Sequence, residues 1–245
     1  MTGSNDVRTV GLVTGANRGI GLEVARQLAR RGMTVVIGAR EAAKGEAAVE
    51  ELTSEGLEAR AVVLDVADGA SVGRLAAEIE SGFGRLDVLV NNAAAFADWS
   101  ETASGADLEN ARAVLDINLF GAWRVTQALL PLLRRSGRGR IVNVSSGAGS
   151  HGEPNFGLAS GPSAASYAVS KAALTALSSK LAVELEGSGI LVNAVDPGLT
   201  ATAPGMEQMG ARPIPKGASS VVWAATLPDD GPTGGFFRDG EPLPW

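Results

Sequence analysis

The sequence predicts an α/β fold: one domain, residues 1–245, with a doubly wound parallel sheet between two layers of helices. Three observations predict it. Strand-like and helix-like segments alternate almost throughout, which implies right-handed strand–helix–strand crossovers. The apolar runs of the strand-like segments are continuous rather than alternating, as expected for parallel strands covered on both faces. The 245 residues, 45% of them apolar, suffice for one substantial core, and no linker or low-complexity stretch divides them.

Each element follows from a local pattern. Residues 10–14 are a short apolar run, followed by a glycine-rich turn and a helical pattern to Gly32. Residues 34–38 are β-branched and apolar, and the Ala- and Glu-rich residues 41–54 predict a helix. Residues 59–64 precede a helix over about 71–83, and residues 86–90 lead into Asn91-Asn92. A long helix is expected over about 108–135, a strand over 140–144, and a helix over about 164–186. Residues 190–195 are a further strand. The two longest irregular stretches, 147–163 and 200–215, follow strand ends, where the ligand crevice of an open parallel sheet lies.

Composition excludes several function classes. The net charge is −6, with no basic run to offer an electrostatic footprint for nucleic acid. Cysteine is absent, so disulfides, thiolate metal sites and cysteine nucleophiles are out; the lone histidine, His151, cannot build a histidine-rich metal site. The polar start has no apolar core of signal-peptide length, and no run reaches membrane-span length. A cytoplasmic protein acting on small molecules, without nucleic-acid or membrane partners, is the expectation.

Two constellations carry chemistry. In the first, Thr14-Gly15-Ala16-Asn17-Arg18-Gly19-Ile20-Gly21 joins the first strand to the first helix. Its glycines permit a tight turn and close backbone approach to a pyrophosphate, which the helix N-terminus then attracts. The spacing is G-x-x-x-G-x-G rather than the G-x-G-x-x-G of the common dinucleotide fingerprint. The second strand leads into Ala39-Arg40, where an NAD site usually carries an acid for the ribose hydroxyls. Arg40 and Arg18 could bracket a 2′-phosphate, which favours NADP(H), although the acid Glu41 stands beside Arg40. In the second constellation, Tyr167 is the only tyrosine, and Lys171, one of four lysines, follows at i+4. On a helix the two share a face. An ammonium beside a phenol is expected to lower its pKa towards working pH, as proton exchange with a carbonyl or alcohol oxygen requires.

With the glycine turn, Asn91-Asn92-Ala93-Ala94, Asn118, Ser145-Ser146 and Tyr167…Lys171 in this order, the chain resembles the short-chain dehydrogenase/reductase family over nearly its whole length. The resemblance implies a Rossmann-type sheet of about seven strands and a nicotinamide cofactor. It implies that Tyr167 is the acid/base, that Lys171 lowers its pKa and binds the nicotinamide ribose, and that Ser146 bonds the reacting oxygen. Asn118 would hold a water linking Lys171 to solvent. Asp65 and Val66 would meet the adenine, Asn91 and Ala93 would help fix the cofactor, and Pro197, Gly198 and Thr200 would lie beside the nicotinamide. The end, from Gly234 to Gly240, resembles a terminal strand of carbonyl-reductase-like members.

Two features depart from the pattern. Ala94 stands where glycine is usual. Ser146 and Tyr167 are 21 residues apart, a longer interval than in plain members, with the extra residues within 149–165. Such an insertion leaves substrate and homo-oligomeric state open. Its Gly, Ser and Pro content suggests a loop of adaptable shape, with His151 and Phe156 as candidate substrate contacts; Phe96 and Trp99 could also line an apolar pocket. The expected activity is NADPH-dependent reduction of a ketone or aldehyde, or the reverse oxidation. The alternative is a non-catalytic NADP-binding sensor or scaffold on the same fold.

Overall fold

The computed structural model describes residues 9–245; the polar start, residues 1–8, lies outside the described residues. The strands β1 (Val10–Thr14), β2 (Thr34–Ala39), β3 (Ala59–Val63), β4 (Val88–Asn91), β5 (Arg140–Val144), β6 (Leu191–Val195), β7 (Phe236–Arg238) and β8 (Glu241–Pro242) form one sheet. Their order is 3-2-1-4-5-6-7-8. The first seven strands run parallel, and β8 turns back antiparallel on β7. An eighth strand is thus added to the seven expected. Its hairpin is made by Asp239-Gly240, both at positive φ (57° and 85°), the pairing that a two-residue hairpin turn of matching twist demands.

Helices α1 (Gly19–Ala29), α2 (Ala42–Ser54) and α7 (Ile214–Ala225) cover one face of the sheet. Helices α3 (Gly69–Phe83), α5 (Ala122–Ser136) and α6 (Ala165–Glu184) cover the other. Successive strand residues feed opposite cores: Leu12, Val36, Leu89 and Ile141 go to the α6 side, while Val13, Ile37, Val90 and Val142 go to the α1 side. This explains the unbroken apolar runs, since both faces are dry. The two edge strands differ: β3 is partly exposed along its length, and β8 is exposed. Among the described residues no helix is long and apolar enough to cross a membrane.

Two elements differ from the sequence expectation. The helix expected over about 108–135 is divided into α4 (Leu108–Leu115) and α5 by a π-helical segment, Asp116–Gly121. At its end a Cβ on Gly121 would meet Val66 Cγ2 at 2.7 Å, so the glycine lets α5 start against the β3–α3 turn. Helix α7 arises inside a region without a predicted element, where Ala218, Val221, Val222 and Ala225 make a buried stripe against the core beneath β1.

The strand order reverses between β1 and β4, and there the chain ends diverge. The junction is clasped by side chains. Thr14 Oγ1 accepts from Asn92 N (3.0 Å) and Ala93 N (2.9 Å), and Asn92 Nδ2 donates to Thr14 O (2.9 Å) and Gly15 O (3.2 Å). The glycine turn and the residues after β4 are thereby held side by side.

Candidate active site

The glycine turn packs closely against the residues that follow β4. Gly15 sits at φ 63°, where a Cβ would lie 2.9 Å from Ala93 Cα. A Cβ on Gly21 would meet Asn92 Nδ2 at 2.5 Å and Gly15 O at 2.7 Å. Helix α1 begins at Gly19 with no side-chain cap and no acid in its first turn, so its leading N–H groups and dipole face the turn uncompensated. Ile20 packs against the core, Asn17 is half-buried, and Arg18 is exposed.

Beyond the turn stands Arg40, also exposed. The side chains of Arg18 and Arg40 have no hydrogen bond or ion pair among the described residues. The neighbouring acid Glu41 is instead engaged by Lys44, Nζ to Oε1 2.6 Å. Two free guanidiniums therefore flank the end of β2, and the carboxylate that could oppose them has its own partner.

The other predicted cofactor contacts divide into accessible and committed groups. Asp65 is half-buried and accepts from Ala67 N (3.0 Å). The Val66 side chain is in the core, and its carbonyl takes a bond from Arg124 (2.5 Å). Asn91 is spent on the interior: Nδ2 donates to Thr126 Oγ1 (3.0 Å) and Asn143 Oδ1 (2.8 Å), bridging β4 to α5 and β5. The Asn91 side chain thus braces the sheet, while Ala93 lies over the glycine turn. Pro197 and Gly198 follow β6, but the Thr200 hydroxyl is buried and bonded to Pro197 O (3.2 Å) and Gly198 O (2.9 Å).

The four residues Asn118, Ser146, Tyr167 and Lys171 converge at the ends of β4 and β5 against α6. The two serines separate by function. Ser145 Oγ is buried, donates to Lys171 O (3.0 Å) and lies 2.7 Å from Thr175 Oγ1, so it pins β5 to α6. The Ser146 side chain lies near the Tyr167 hydroxyl, where it favours the ionised phenol, and its Oγ accepts from Ala148 N (3.2 Å). Lys171 is buried, donates to Val144 O (2.8 Å), and has its Nζ 5.6 Å from the Tyr167 ring centroid.

The charge states correct one expectation. Burial pushes the Tyr167 phenol up to about 12, opposed by Ser146 and assisted by the Asp196 carboxylate. Burial likewise pulls Lys171 down to about 8, against the attraction of Asp196. Lys171, itself neutral above about pH 8, does not lower the phenol, and desolvation dominates. Both groups are driven towards their neutral forms, and at neutral pH Tyr167 keeps its proton.

Asn118 is buried within the π segment. Its Oδ1 accepts from Ala95 N (2.7 Å), and its Nδ2 donates to Ala95 O (2.9 Å) and Ser170 Oγ (2.9 Å). Its side chain thus ties the strand-β4 loop to α6. π segments of this kind recur at functional sites.

The first half of the segment 149–165 is tied to the rest of the fold. Ser150 Oγ bonds Pro244 O, and Leu158 N returns to Ser150 O (2.8 Å). Glu153 accepts from Arg238 (2.7 Å), whose guanidinium also holds Asp196 (2.9 and 2.5 Å). A Cβ on Gly147 would fall 2.9–3.2 Å from all three of these side chains, so the cluster lies directly under the turn that follows Ser146. His151 and Phe156 are exposed on this loop. The rings on Tyr167 are instead Phe96, stacked at 5.1 Å and 20°, and Trp99, tilted at 6.3 Å. Glu153, Asp196 and Arg238 are not singled out by the sequence; their only local signals are the place of Asp196 before Pro197-Gly198 and of Arg238 before the terminal Asp239-Gly240 turn.

A family model described as short chain dehydrogenase matches residues 9–211. The chain belongs to the short-chain dehydrogenase family. It is 39% identical over 206 residues, 84% of this chain and 79% of the relative, to a 3-oxoacyl-[acyl-carrier-protein] reductase of a Synechocystis strain. It is 38% identical to Oxidoreductase UcpA of Salmonella typhimurium, covering 86% of this chain and 76% of that one. Among solved structures, a metagenomic short-chain oxidoreductase in complex with NADP superposes with TM-score 0.76 at 29% identity. That match covers 94% of this chain and 96% of the other. The protein is an oxidoreductase of this family.

Proposed function

We propose that this protein reduces a ketone or aldehyde to an alcohol with NADPH. The observation that carries the reading is the buried pair Tyr167 and Lys171 with the half-buried Ser146, beside a glycine cradle flanked by Arg18 and Arg40. The residues present fit the cofactor. Gly15, Gly19 and Gly21 let the backbone and the α1 N-terminus receive the pyrophosphate, and Arg18 and Arg40 would bind a 2′-phosphate through charge-assisted bonds. The relative solved with NADP supports the same choice. When bound, the nicotinamide supplies the hydride.

The chain's own residues supply the rest. Ser146 and Tyr167, side by side where β5 meets α6, would share the carbonyl oxygen and polarise it. Tyr167 then donates its proton as negative charge develops on that oxygen. A phenol held up at about 12 keeps its proton at neutral pH, ready for the carbonyl oxygen. Lys171, pulled down to about 8, can return a proton towards the phenol near neutral pH. The experiment is NADPH absorbance loss with a panel of aryl ketones, aliphatic ketones, aldehydes, quinones and a 3-oxoacyl thioester. The last is included because a relative carries that name. Cofactor binding without turnover of any member would instead support a non-catalytic sensor or scaffold.

A further inference from the structure

The helix that carries Tyr167 and Lys171 has no N-cap of its own. Its N-cap position is Ala164, at φ 50° with no side-chain oxygen, whereas α3 and α4 are capped by Asp68 and Asp107. A helix N-terminus leaves its first N–H groups unsatisfied. Two of those of α6 are satisfied by Glu101, far away in sequence. Glu101 O accepts from Ala165 N (3.3 Å), and Glu101 Oε1 accepts from Ser166 N (2.7 Å). One glutamate thus does the work of a capping aspartate, with its charge at the positive end of the helix.

Glu101 closes a short segment whose two ends are both fixed. At the other end Ala95 is gripped, N and O, by the Asn118 side chain. Between them Asp98 Oδ1 accepts from Ser100 N (2.8 Å) and Ser100 Oγ (2.7 Å), and Glu101 N returns to Asp98 O (3.0 Å), so Trp99 rides on a closed turn. Phe96 and Trp99 each set a ring against Tyr167, yet each is 62% exposed. Large apolar side chains left open beside a buried proton donor form a wall for something flat and apolar.

We propose that residues 96–101 form an aromatic flap latched to α6 by Glu101, a positioning residue that holds Phe96 and Trp99 against Tyr167 and selects aryl or similarly flat conjugated ketones. The selectivity half rests on Tyr167 being the proton donor; the latch itself does not.

Because Tyr167 is the only tyrosine and cysteine is absent, tetranitromethane reads the access to this one phenol. Glu101→Ala should be nitrated about fivefold faster than wild type, the change in local opening that loss of one helix-capping bond allows. Glu101→Gln keeps an acceptor for Ser166 N and should stay within about twofold. The ratio of kcat/KM for acetophenone over butanone should fall by a similar factor in Glu101→Ala and be retained in Glu101→Gln. Thermal melting by circular dichroism confirms that each variant is folded; Phe96→Ala, which removes the stacked ring and leaves the latch, should also nitrate faster. Unchanged nitration in folded Glu101→Ala overturns the latch. Faster nitration with an unchanged ketone ratio overturns the selectivity. A wild type that reduces neither ketone overturns the selectivity together with the reductase reading, while nitration still decides the latch.

Discussion

Lys171→Met should make the protein more stable and inactive at the same time. Lys171 is 2% exposed, and burial lowers it from its ordinary 10.5 to about 8. That difference corresponds to about 3 kcal/mol of penalty on the buried charge. An unfolded lysine keeps its proton up to 10.5, whereas the folded one gives it up near 8. The penalty is therefore fully present below pH 8 and is relieved as pH rises towards 10.5. Methionine is of similar length and removes the charge, but it leaves Val144 O without its donor, a cost of about 1 kcal/mol. The net expectation is about 2 kcal/mol of added stability at pH 7, or a rise in Tm of roughly 4–8 °C for a chain of this size. By pH 10 the wild type has shed most of the penalty, and the two proteins should melt together. Differential scanning calorimetry at pH 7 and pH 10, with NADPH oxidation measured alongside, checks this. A variant destabilised equally at both pH values would refute the argument that burial penalises the Lys171 charge.

Other perturbations follow from the same geometry. Tyr167→Phe removes the transferable proton and should lower turnover by at least ~10²-fold with NADPH affinity nearly intact, as fluorescence titration would show. Arg40→Asp should cost NADPH about 1.5–3 kcal/mol of binding and improve NADH relative to it; a wild type that already prefers NADH would reject the role of Arg40. Arg238→Met strands the buried carboxylates of Asp196 and Glu153, and urea titration should show a loss of about 3 kcal/mol.

The parts of the site that could be read from the sequence are those whose partners are close in the chain or lie at strand ends. Tyr167 and Lys171 meet because a helix brings i and i+4 together. The glycine turn follows from its place between β1 and α1, and Arg40 from its place after β2. The parts that could not be read depend on distant contacts. Glu101 reaches Ser166 across 65 residues, and Arg238 reaches Asp196 across 42 and Glu153 across 85. No local pattern records such pairs. The same limit applies to the phenol: the sequence shows a cation one turn away, but not the burial that raises Tyr167 and neutralises Lys171. It also made the 149–165 loop look free, because its Ser150, Glu153 and Gly152 are held by the C-terminal hairpin and Pro244. Helix α7 was in principle legible, since Ala218, Val221, Val222 and Ala225 recur with helical spacing after Pro213.

The central claim is that Tyr167 gives a proton to a carbonyl oxygen while NADPH is consumed. The most direct measurement is NADPH absorbance loss by wild type and Tyr167→Phe on the same carbonyl panel at pH 7, with both proteins shown to bind NADPH. The account predicts turnover of at least one carbonyl by wild type and at least ~10²-fold less by the variant. Equal turnover by the two proteins, or NADPH binding with no turnover of any carbonyl by wild type, would contradict it.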